Sequence, residues 1–371
     1  MRVAIDARPL DLPHLRAQGI GRYAQGLLGP LDEVARERGG DLVALRAPRR
    51  GGFGLDAAAG EQRTLRRPPV PARWADLPEQ ALLPLDLRRA RAELVHGLSI
   101  YRTAYAPGVP SVTTILDVAP LMWPEHYLRG GRVHRLLYAA ARRATLLLAI
   151  SDAARADVIA HLRVPEERVI TVPLAAADHF CRTDARSAID GPYLLYVGGL
   201  ANPDWRKNLD GLLEGFARWQ REGDRPEALV MAGGIGPEGE RLERRARELG
   251  ARVVFPGFVA DADLPALYGG ATCFVTASRY EGFGLPALEA VSCGTPVVAF
   301  DAGAIPEVAG PGALLAPEGD VAALMRLAGS VCDEQPLRDR LRAGGLEHAK
   351  RYSWKRTAEL TWEAYERCLA S

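Results

Sequence analysis

Lysine is nearly missing from this chain: three residues, Lys207, Lys350 and Lys355, stand against 44 arginines. Arginine is the default surface cation here, so a lysine at any particular place asks for a reason of its own. Cysteine offers no framework. The five cysteines, Cys181, Cys273, Cys293, Cys332 and Cys368, are odd in number, widely spaced and form no Cys-x-x-Cys. That pattern excludes a disulfide scaffold and a closely spaced zinc site, and it fits a reducing compartment. No apolar run approaches the roughly 20 residues needed to span a bilayer. The chain opens directly into a strand-like RVAID, leaving no room for a signal peptide. No basic cluster is interleaved with stacking aromatics, so nucleic acid is not an expected partner. Together these absences predict a soluble, cytoplasmic protein.

What is present is the composition of a globular protein, 48% hydrophobic and 25% charged, in 371 residues. That length suits two domains of about 180 residues each. The net charge of +1 hides an asymmetry: residues 1–185 carry 26 arginines against 20 acidic residues, whereas the remainder carries 21 basic against 26 acidic. A basic first half suits an anionic acceptor or peripheral contact with an inner membrane surface; an arginine-rich solvated face accounts for it more simply.

Strands and helices alternate along the chain. Buried-strand patterns fall at Arg2–Asp6, 41–46, 93–96, 111–116, Leu146–Ile150 and Val169–Val172, with helices near 77–91 and 124–143 and one capped by Ser151-Asp152. The stretch from 173 to 192 is small, polar and turn-rich, as a linker would be. A second series follows, with strands at Tyr193–Val197, Leu229–Ala232, Val253–Phe255 and 271–276, and the chain is helical by pattern beyond Asp320. Such alternation predicts parallel, doubly wound sheets with ligands at the carboxyl ends of the strands. His96, Ser99 and Asp117 fall at such ends, although an edge polar residue is more often a loop cap. Gly19-Ile-Gly21-Arg-Tyr23-Ala24 matches the dinucleotide fingerprint on paper. It lies a dozen residues past its strand, so a glycine loop approaching a ligand is the better reading.

The most informative stretch is 278–307, SRYEGFGLPALEAVSCGTPVVAFDAGAIPE. It reads as strand end, glycine turn, short helix, strand and second glycine turn. Glu281-Gly282-Phe283-Gly284 breaks the strand, Pro286 opens the helix and Gly294 ends it. A glycine turn feeding a helix N-terminus presents unpaired N–H groups and the positive end of the dipole, which suits a phosphate. Two carboxylates flank that anion site, Glu281 in the turn and Glu289 in the helix. Near phosphates each is expected to accept hydrogen bonds from sugar or ribose hydroxyls. Taken alone, Glu281 would read as a helix cap and Glu289 as solvated surface. Lys207, in the turn that begins at Gly198, is the compact ammonium suited to the same phosphates. Asp261-Ala-Asp263 has the form of a metal-binding DXD, but it precedes a helix and reads as a cap, so no metal site is expected.

The 278–307 stretch closely resembles the nucleotide-binding signature of glycosyltransferase family 4, and the similarity extends over nearly the whole chain. The resemblance implies an α/β protein of GT-B architecture, two Rossmann-like doubly wound parallel-sheet domains facing across a cleft. Residues 1–175 would form an acceptor domain, 176–191 a linker, 192–351 a nucleotide-sugar domain and 352–371 a helix returning to the first domain, with Trp354 and Trp362 as anchors. It implies a retaining, metal-independent transfer of a sugar from a nucleotide-diphosphate sugar to a sugar, lipid-linked or small-molecule hydroxyl, with no cofactor. Within that scheme Glu281, Lys207 and Asp117 are the catalytic candidates. Donor contacts fall to Glu289, Arg206, Gly282, Phe283, Gly284, Leu285, Gly19, Gly21, Gly198, Gly303 and Phe258, the last equally readable as core. Acceptor contacts fall to Tyr23, His96 and Asp117.

Two positions depart from the family. Members usually read Thr-x-His-Asp where this chain has Thr114-Ile-Leu116-Asp117, and the histidine approaches the donor near its 6-hydroxyl. Leu116 cannot donate a hydrogen bond there, so either the donor sugar lacks that hydroxyl or His96 or Asp117 covers it. Gly199 stands where many members carry arginine, leaving Arg206 as a possible substitute. IDARPL, GIGRY and the segment from Pro120 to Pro124 resemble mannosyltransferase members, which puts GDP-mannose first and UDP- or dTDP-sugars behind it. A non-catalytic nucleotide-sugar-binding protein and a sugar-nucleotide epimerase are the rival readings.

Overall fold

The strands of this protein are short and almost continuously apolar, as strands covered on both faces must be. The computed structural model describes residues 1–11, 19–46, 61–65, 76–127 and 132–370. It resolves into two compact units, one comprising Met1–Ala175 with Ser353–Ser371 and the other Ala176–Tyr352.

The first unit holds a seven-stranded parallel sheet built from β1 (Arg2–Asp6), β2 (Asp41–Arg46), β3 (Glu61–Thr64), β4 (Leu94–Gly97), β5 (Ser111–Ile115), β6 (Leu146–Ala149) and β7 (Val169–Thr171). The order is β3-β2-β1-β4-β5-β6-β7, so β1 pairs with both β2 and β4 and the winding reverses between β1 and β4. β3, with the sequence EQRT, has no apolar alternation to announce it. It is an edge strand, mostly exposed, and a solvated edge needs no apolar face. The described helices before the second unit are α1 (Gly19–Glu37), α2 (Asp76–Ala90), the single turn α3 (Ala119–Met122), α4 (Arg132–Ala141) and α5 (Asp152–Leu162). The helix expected over 124–143 is shorter than its pattern: Pro124–His126 forms a 3-10 turn, and α4 starts at Arg132. Ser151 caps α5 as expected, its Oγ accepting from the Ala154 N–H at 2.9 Å.

The second unit holds β8 (Tyr193–Val197), β9 (Ala228–Ala232), β10 (Val253–Gly257), β11 (Cys273–Thr276), β12 (Val297–Phe300) and β13 (Ala313–Ala316) in the order β10-β9-β8-β11-β12-β13, all parallel. Its winding reverses between β8 and β11. The helices are α6 (Leu209–Gly223), α7 (Pro237–Leu249), α8 (Leu264–Gly270), α9 (Leu285–Ser292), α10 (Ile305–Ala309), α11 (Val321–Asp333) and α12 (Gln335–Ala349). A core of Leu194, Leu212, Phe216, Met231, Val275 and Phe300 fills the space between sheet and helices.

The final helix, α13 (Trp354–Ala370), packs along α1 in the first unit. Two glycines admit its tryptophans. A β-carbon on Gly26 would lie 2.1 Å from Trp354 Cε2, and one on Gly40 would lie 2.4 Å from Trp362 Cη2. Beneath this helix runs a fully buried polar chain. His96 Nδ1 meets the Tyr365 hydroxyl at 2.7 Å, His96 Nε2 meets Thr114 Oγ1 at 2.8 Å, and the Tyr23 hydroxyl meets the same Thr114 oxygen at 2.9 Å. Neutral imidazole has one donor and one acceptor nitrogen, which this chain satisfies.

Burial pushes the His96 imidazole down to about 3. An unfolded histidine takes up its proton near pH 6.5, so between that value and about 3 the unfolded chain binds the extra proton and the folded one does not. This contribution to stability is complete above pH 6.5 and falls as pH drops through the window, by up to about 1.4 kcal/mol per pH unit. Urea unfolding from pH 7 to pH 4 should show a flatter pH dependence in His96→Gln than in the natural chain. Equal slopes would refute the assignment.

Candidate functional site

The reversal between β8 and β11 places two loops side by side at the carboxyl ends of the strands, the position where open α/β sheets bind ligands. The loop after β8 carries Lys207 on a 3-10 turn, Trp205–Lys207, whose N-cap Asp204 accepts from the Arg206 N–H. The loop after β11 carries Glu281. Across 74 positions of sequence, Lys207 Nζ donates to Glu281 Oε1 at 2.7 Å, with the two side chains 26% and 18% exposed. The backbones are tied as well, since the Arg279 N–H donates to the Arg206 carbonyl at 2.7 Å.

A third loop, after β12, closes on the same residue. Gly303, at φ +56°, sits so near that a β-carbon there would lie 2.4 Å from the Glu281 carbonyl oxygen, and the Ala304 N–H donates to that oxygen at 2.9 Å. Gly284, at φ +91°, is the N-cap of α9, and a β-carbon on it would meet Ile305 Cδ1 at 2.6 Å. No side chain caps α9, whose first turn carries Pro286. Glu281 is therefore no helix cap. It is a half-buried carboxylate held by three loops, with a lysine for a partner. Asp263 occupies the N-cap position of α8 yet makes no side-chain capping bond there, contrary to the reading of that motif.

Glu289 is 2% exposed, which overturns the solvated-surface reading, and its Oε2 accepts from the Tyr268 hydroxyl at 2.9 Å. Tyr268, on α8, is itself fully buried and accepts the Thr295 hydroxyl on its carbonyl at 2.7 Å. The sequence offered no sign of this partner, 21 positions away and inside a segment legible only as a short helix.

Several donor candidates behave otherwise than expected. Phe283 is 3% exposed with its ring edge-on to Tyr352 at 5.9 Å, so it packs the interior, leaving its backbone alone for a ligand. Arg206 spreads its guanidinium across Asp204, Nε to Oδ1 at 3.0 Å and Nη2 to Oδ2 at 2.8 Å. Burial works to raise the Asp204 carboxyl, but the Arg206 hydrogen bonds and charge, with Lys207 beyond, hold it below the usual range. The arginine's fork is thus engaged locally by Asp204, and at Gly199 a β-carbon would enter open space. Gly198 is needed by its neighbour: a β-carbon there would lie 2.4 Å from the Tyr196 hydroxyl. Phe258 is 74% exposed beside the end of β10, which excludes the core reading and leaves a ring face open to a flat ligand. Leu285 is half-buried at the start of α9, and Gly282 is buried.

In the first unit, Gly19 and Gly21 lie in the first turn of α1 and not in a loop, so they are helical residues. Tyr23 and His96 are 1% and 0% exposed and bonded to Thr114, which removes both as acceptor contacts in this structure. The physical reason is that α13 packs along α1 and sets Tyr365 against His96, a long-range fact invisible in local pattern. Asp117 follows β5, its Oδ1 accepting from the Ala119 N–H at 3.0 Å to shape the turn into α3.

Tyr196 was also illegible. Its hydroxyl is buried beneath the Gly198 turn with no hydrogen-bond partner, and burial, with the Glu281 and Asp204 charges, pushes the phenol pKa up. An orphaned buried hydroxyl costs about 1–3 kcal/mol. Tyr196→Phe should therefore leave the melting temperature unchanged or raise it; a clear fall would mean that the hydroxyl has a stabilising partner. Among the described residues, no group of three or more His, Cys, Asp and Glu side chains is arranged to hold a metal ion, and no helix is long and apolar enough to cross a membrane.

Known proteins resemble this chain in sequence and in fold. Residues 182–348 match the family model for glycosyl transferases group 1, and residues 19–176 match that for glycosyltransferase family 4. The O-antigen chain mannosyltransferase B of Escherichia coli is 31% identical over 99% of this chain and 100% of its own length. Among solved structures, the sucrose-phosphate synthase of Thermosynechococcus elongatus superposes with a TM-score of 0.79 at 20% identity, covering 100% of this chain and 99% of its own. Anabaena HepE in complex with UDP-glucose superposes at 0.76 and 17%, covering 99% and 100%. With a full-length relative above 30% identity and both halves matched in order, the chain belongs to glycosyltransferase family 4 and is a glycosyltransferase with the two Rossmann-like domains of the GT-B fold.

Proposed function

We propose that this glycosyltransferase moves a sugar, mannose from GDP-mannose first, onto a hydroxyl of a glycan acceptor with retention of anomeric configuration and without a metal ion. The observation that carries the reading is the Lys207–Glu281 pair at the point where the winding reverses, with three loops closing on it. A diphosphate leaving group gathers negative charge as the bond from its oxygen to the sugar C1 breaks. Stabilising that charge is the main catalytic task. Lys207 and the amides at the start of α9 supply the positive potential, Glu281 takes hydroxyls of the transferred sugar and Glu289 those of the ribose. The acceptor oxygen bonds to C1 on the face the diphosphate leaves, and its proton passes to the departing phosphate oxygen, so no enzymatic nucleophile is consumed. The ring of Phe258, 74% exposed, would cover the base.

The mannosyltransferase name of the full-length relative supports the donor sugar and a polysaccharide acceptor. Leu116, half-buried after β5, argues for a donor lacking the hydroxyl that a histidine would meet or for cover by Asp117, because buried His96 cannot stand in. The donor experiment decides between them. Thermal stability is followed with GDP, UDP, dTDP and ADP in the absence of metal. A ligand at about 100 times its Kd adds about 2.7 kcal/mol, and a dominant GDP shift supports mannose. A dominant dTDP or UDP shift transfers the proposal to that donor, and no shift with any nucleotide overturns it. Once the donor is known, the product anomer is read by NMR, and an inverted anomer sinks the retaining step. Transfer is expected to survive excess EDTA with its rate unchanged, since lysine and helix dipoles carry the charge.

A further inference from the structure

Burial removes Tyr23 and His96 from any acceptor, yet the loop after β4, the strand of His96, carries an exposed aromatic ring whose hydroxyl is hydrogen-bonded. Just beyond β4, the 3-10 turn Ile100–Arg102 lifts Tyr101 to the carboxyl ends of the strands, where it is 56% exposed. Its hydroxyl is fixed at 2.9 Å from His134 Nε2, with the two rings edge-on at 6.0 Å and 77°. The His134 ring is buttressed in turn by Tyr127, at 5.2 Å and 68°. One helical turn along α4 from His134, the Tyr138 hydroxyl donates to the Asp117 carbonyl at 2.7 Å, so the face carrying both side chains is fastened to the end of β5. We propose that Tyr101, held by His134 on the helix face fastened to the end of β5, is the platform on which the acceptor sugar stacks.

The chemistry follows from the parts. A pyranose has one apolar face of C–H bonds and a rim of hydroxyls. An aromatic ring covers the face, and a carboxylate with a phenol serves the rim. Most surface tyrosines lose rotamer freedom when a ligand settles on them; this one is already tied down by His134, so binding costs less. The nearby Asp117 charge disfavours a phosphorylated or otherwise anionic ligand and favours a neutral polyol. Partial desolvation on its inner side, reinforced by that same charge, pushes the Tyr101 phenol pKa up, so the ring stays neutral. Tyr101 contacts the sugar, and His134 acts through it as a positioning residue.

This inference rests on the glycosyltransferase reading, and the experiment separates the two. The full chain is tested on an array of oligosaccharides ending in mannose, glucose, galactose or N-acetylglucosamine, alongside the nucleotide thermal-shift panel. The natural chain should retain at least one glycan class. Tyr101→Ala should weaken that binding about tenfold or more, while Tyr101→Phe, which keeps the ring, stays within about threefold. His134→Ala should fall between them, and the nucleotide shift should be the same in all four proteins. Equal glycan binding by the natural chain and Tyr101→Ala overturns the proposal. Equal losses in Tyr101→Phe and Tyr101→Ala overturn the stacking. Failure of the natural chain to hold any array glycan, with its nucleotide shift intact, also overturns the platform. A missing nucleotide shift in the natural chain counts against the donor reading instead.

Discussion

Lys207→Ala should lower kcat/KM for sugar transfer by about 100- to 1000-fold and weaken nucleotide binding at the same time. The ammonium is the partner of the half-buried Glu281 carboxylate at 2.7 Å, so its loss leaves that carboxylate uncompensated and facing an incoming diphosphate. Glu281→Gln has the opposite signature. The lysine is freed to sit on the phosphates, so nucleotide affinity holds or improves while turnover collapses by a similar factor. The double variant should be no worse in turnover than the poorer single one, because the two residues act as a unit. Lys207→Arg should rescue only part of the loss, since a planar fork does not fill the place of a compact ammonium. Isothermal titration with the preferred nucleoside diphosphate and initial-rate kinetics would check all four. If both single variants lost nucleotide affinity equally, Glu281 would not be serving the transferred sugar.

The second large effect belongs to a residue with no side chain. Gly303→Ala places a methyl group 2.4 Å from the Glu281 carbonyl oxygen and 2.8 Å from its amide nitrogen. Something must move, and the atom in the way is backbone, so Glu281 shifts and the bond from the Ala304 N–H is lost. We expect destabilisation of about 2–4 kcal/mol and a fall in transfer of about 100-fold or more, since small misplacements of a catalytic group are costly. Gly319→Ala is the control. It too has positive φ, +82°, but its β-carbon would meet nothing within 4 Å, so it should cost only the backbone strain, about 1 kcal/mol. Thermal melts and rates for both variants would test this, and equal effects would mean that the clash at Gly303 is absorbed without moving Glu281.

Much of this architecture is legible in the chain because it is local. The apolar runs of β1, β8 and β12, the Ser151 cap, and the turn-helix-strand rhythm of 278–307 rest on contacts between residues a few positions apart. What failed did so where a distant segment intervened. His96 reads as an edge residue and Tyr23 as part of a glycine loop until α13, more than 250 positions beyond His96, packs over them. Phe283 sits in a glycine turn, where an aromatic invites a ligand role, yet Tyr352 takes its ring. β3 gave no signal because a solvated edge strand needs no apolar face.

By itself the sequence determined the doubly wound α/β class and singled out Glu281, Glu289 and Lys207 as candidates, because periodicity, glycine turns and the scarcity of lysine are properties of the chain alone. Only the tertiary structure decided which of the polar residues meet. The Lys207–Glu281 pair, the Tyr268 bond to Glu289 and the Tyr101–His134 bond each join separate loops or helices. Strand order and helix packing bring these groups within hydrogen-bonding distance, and no local pattern encodes that meeting.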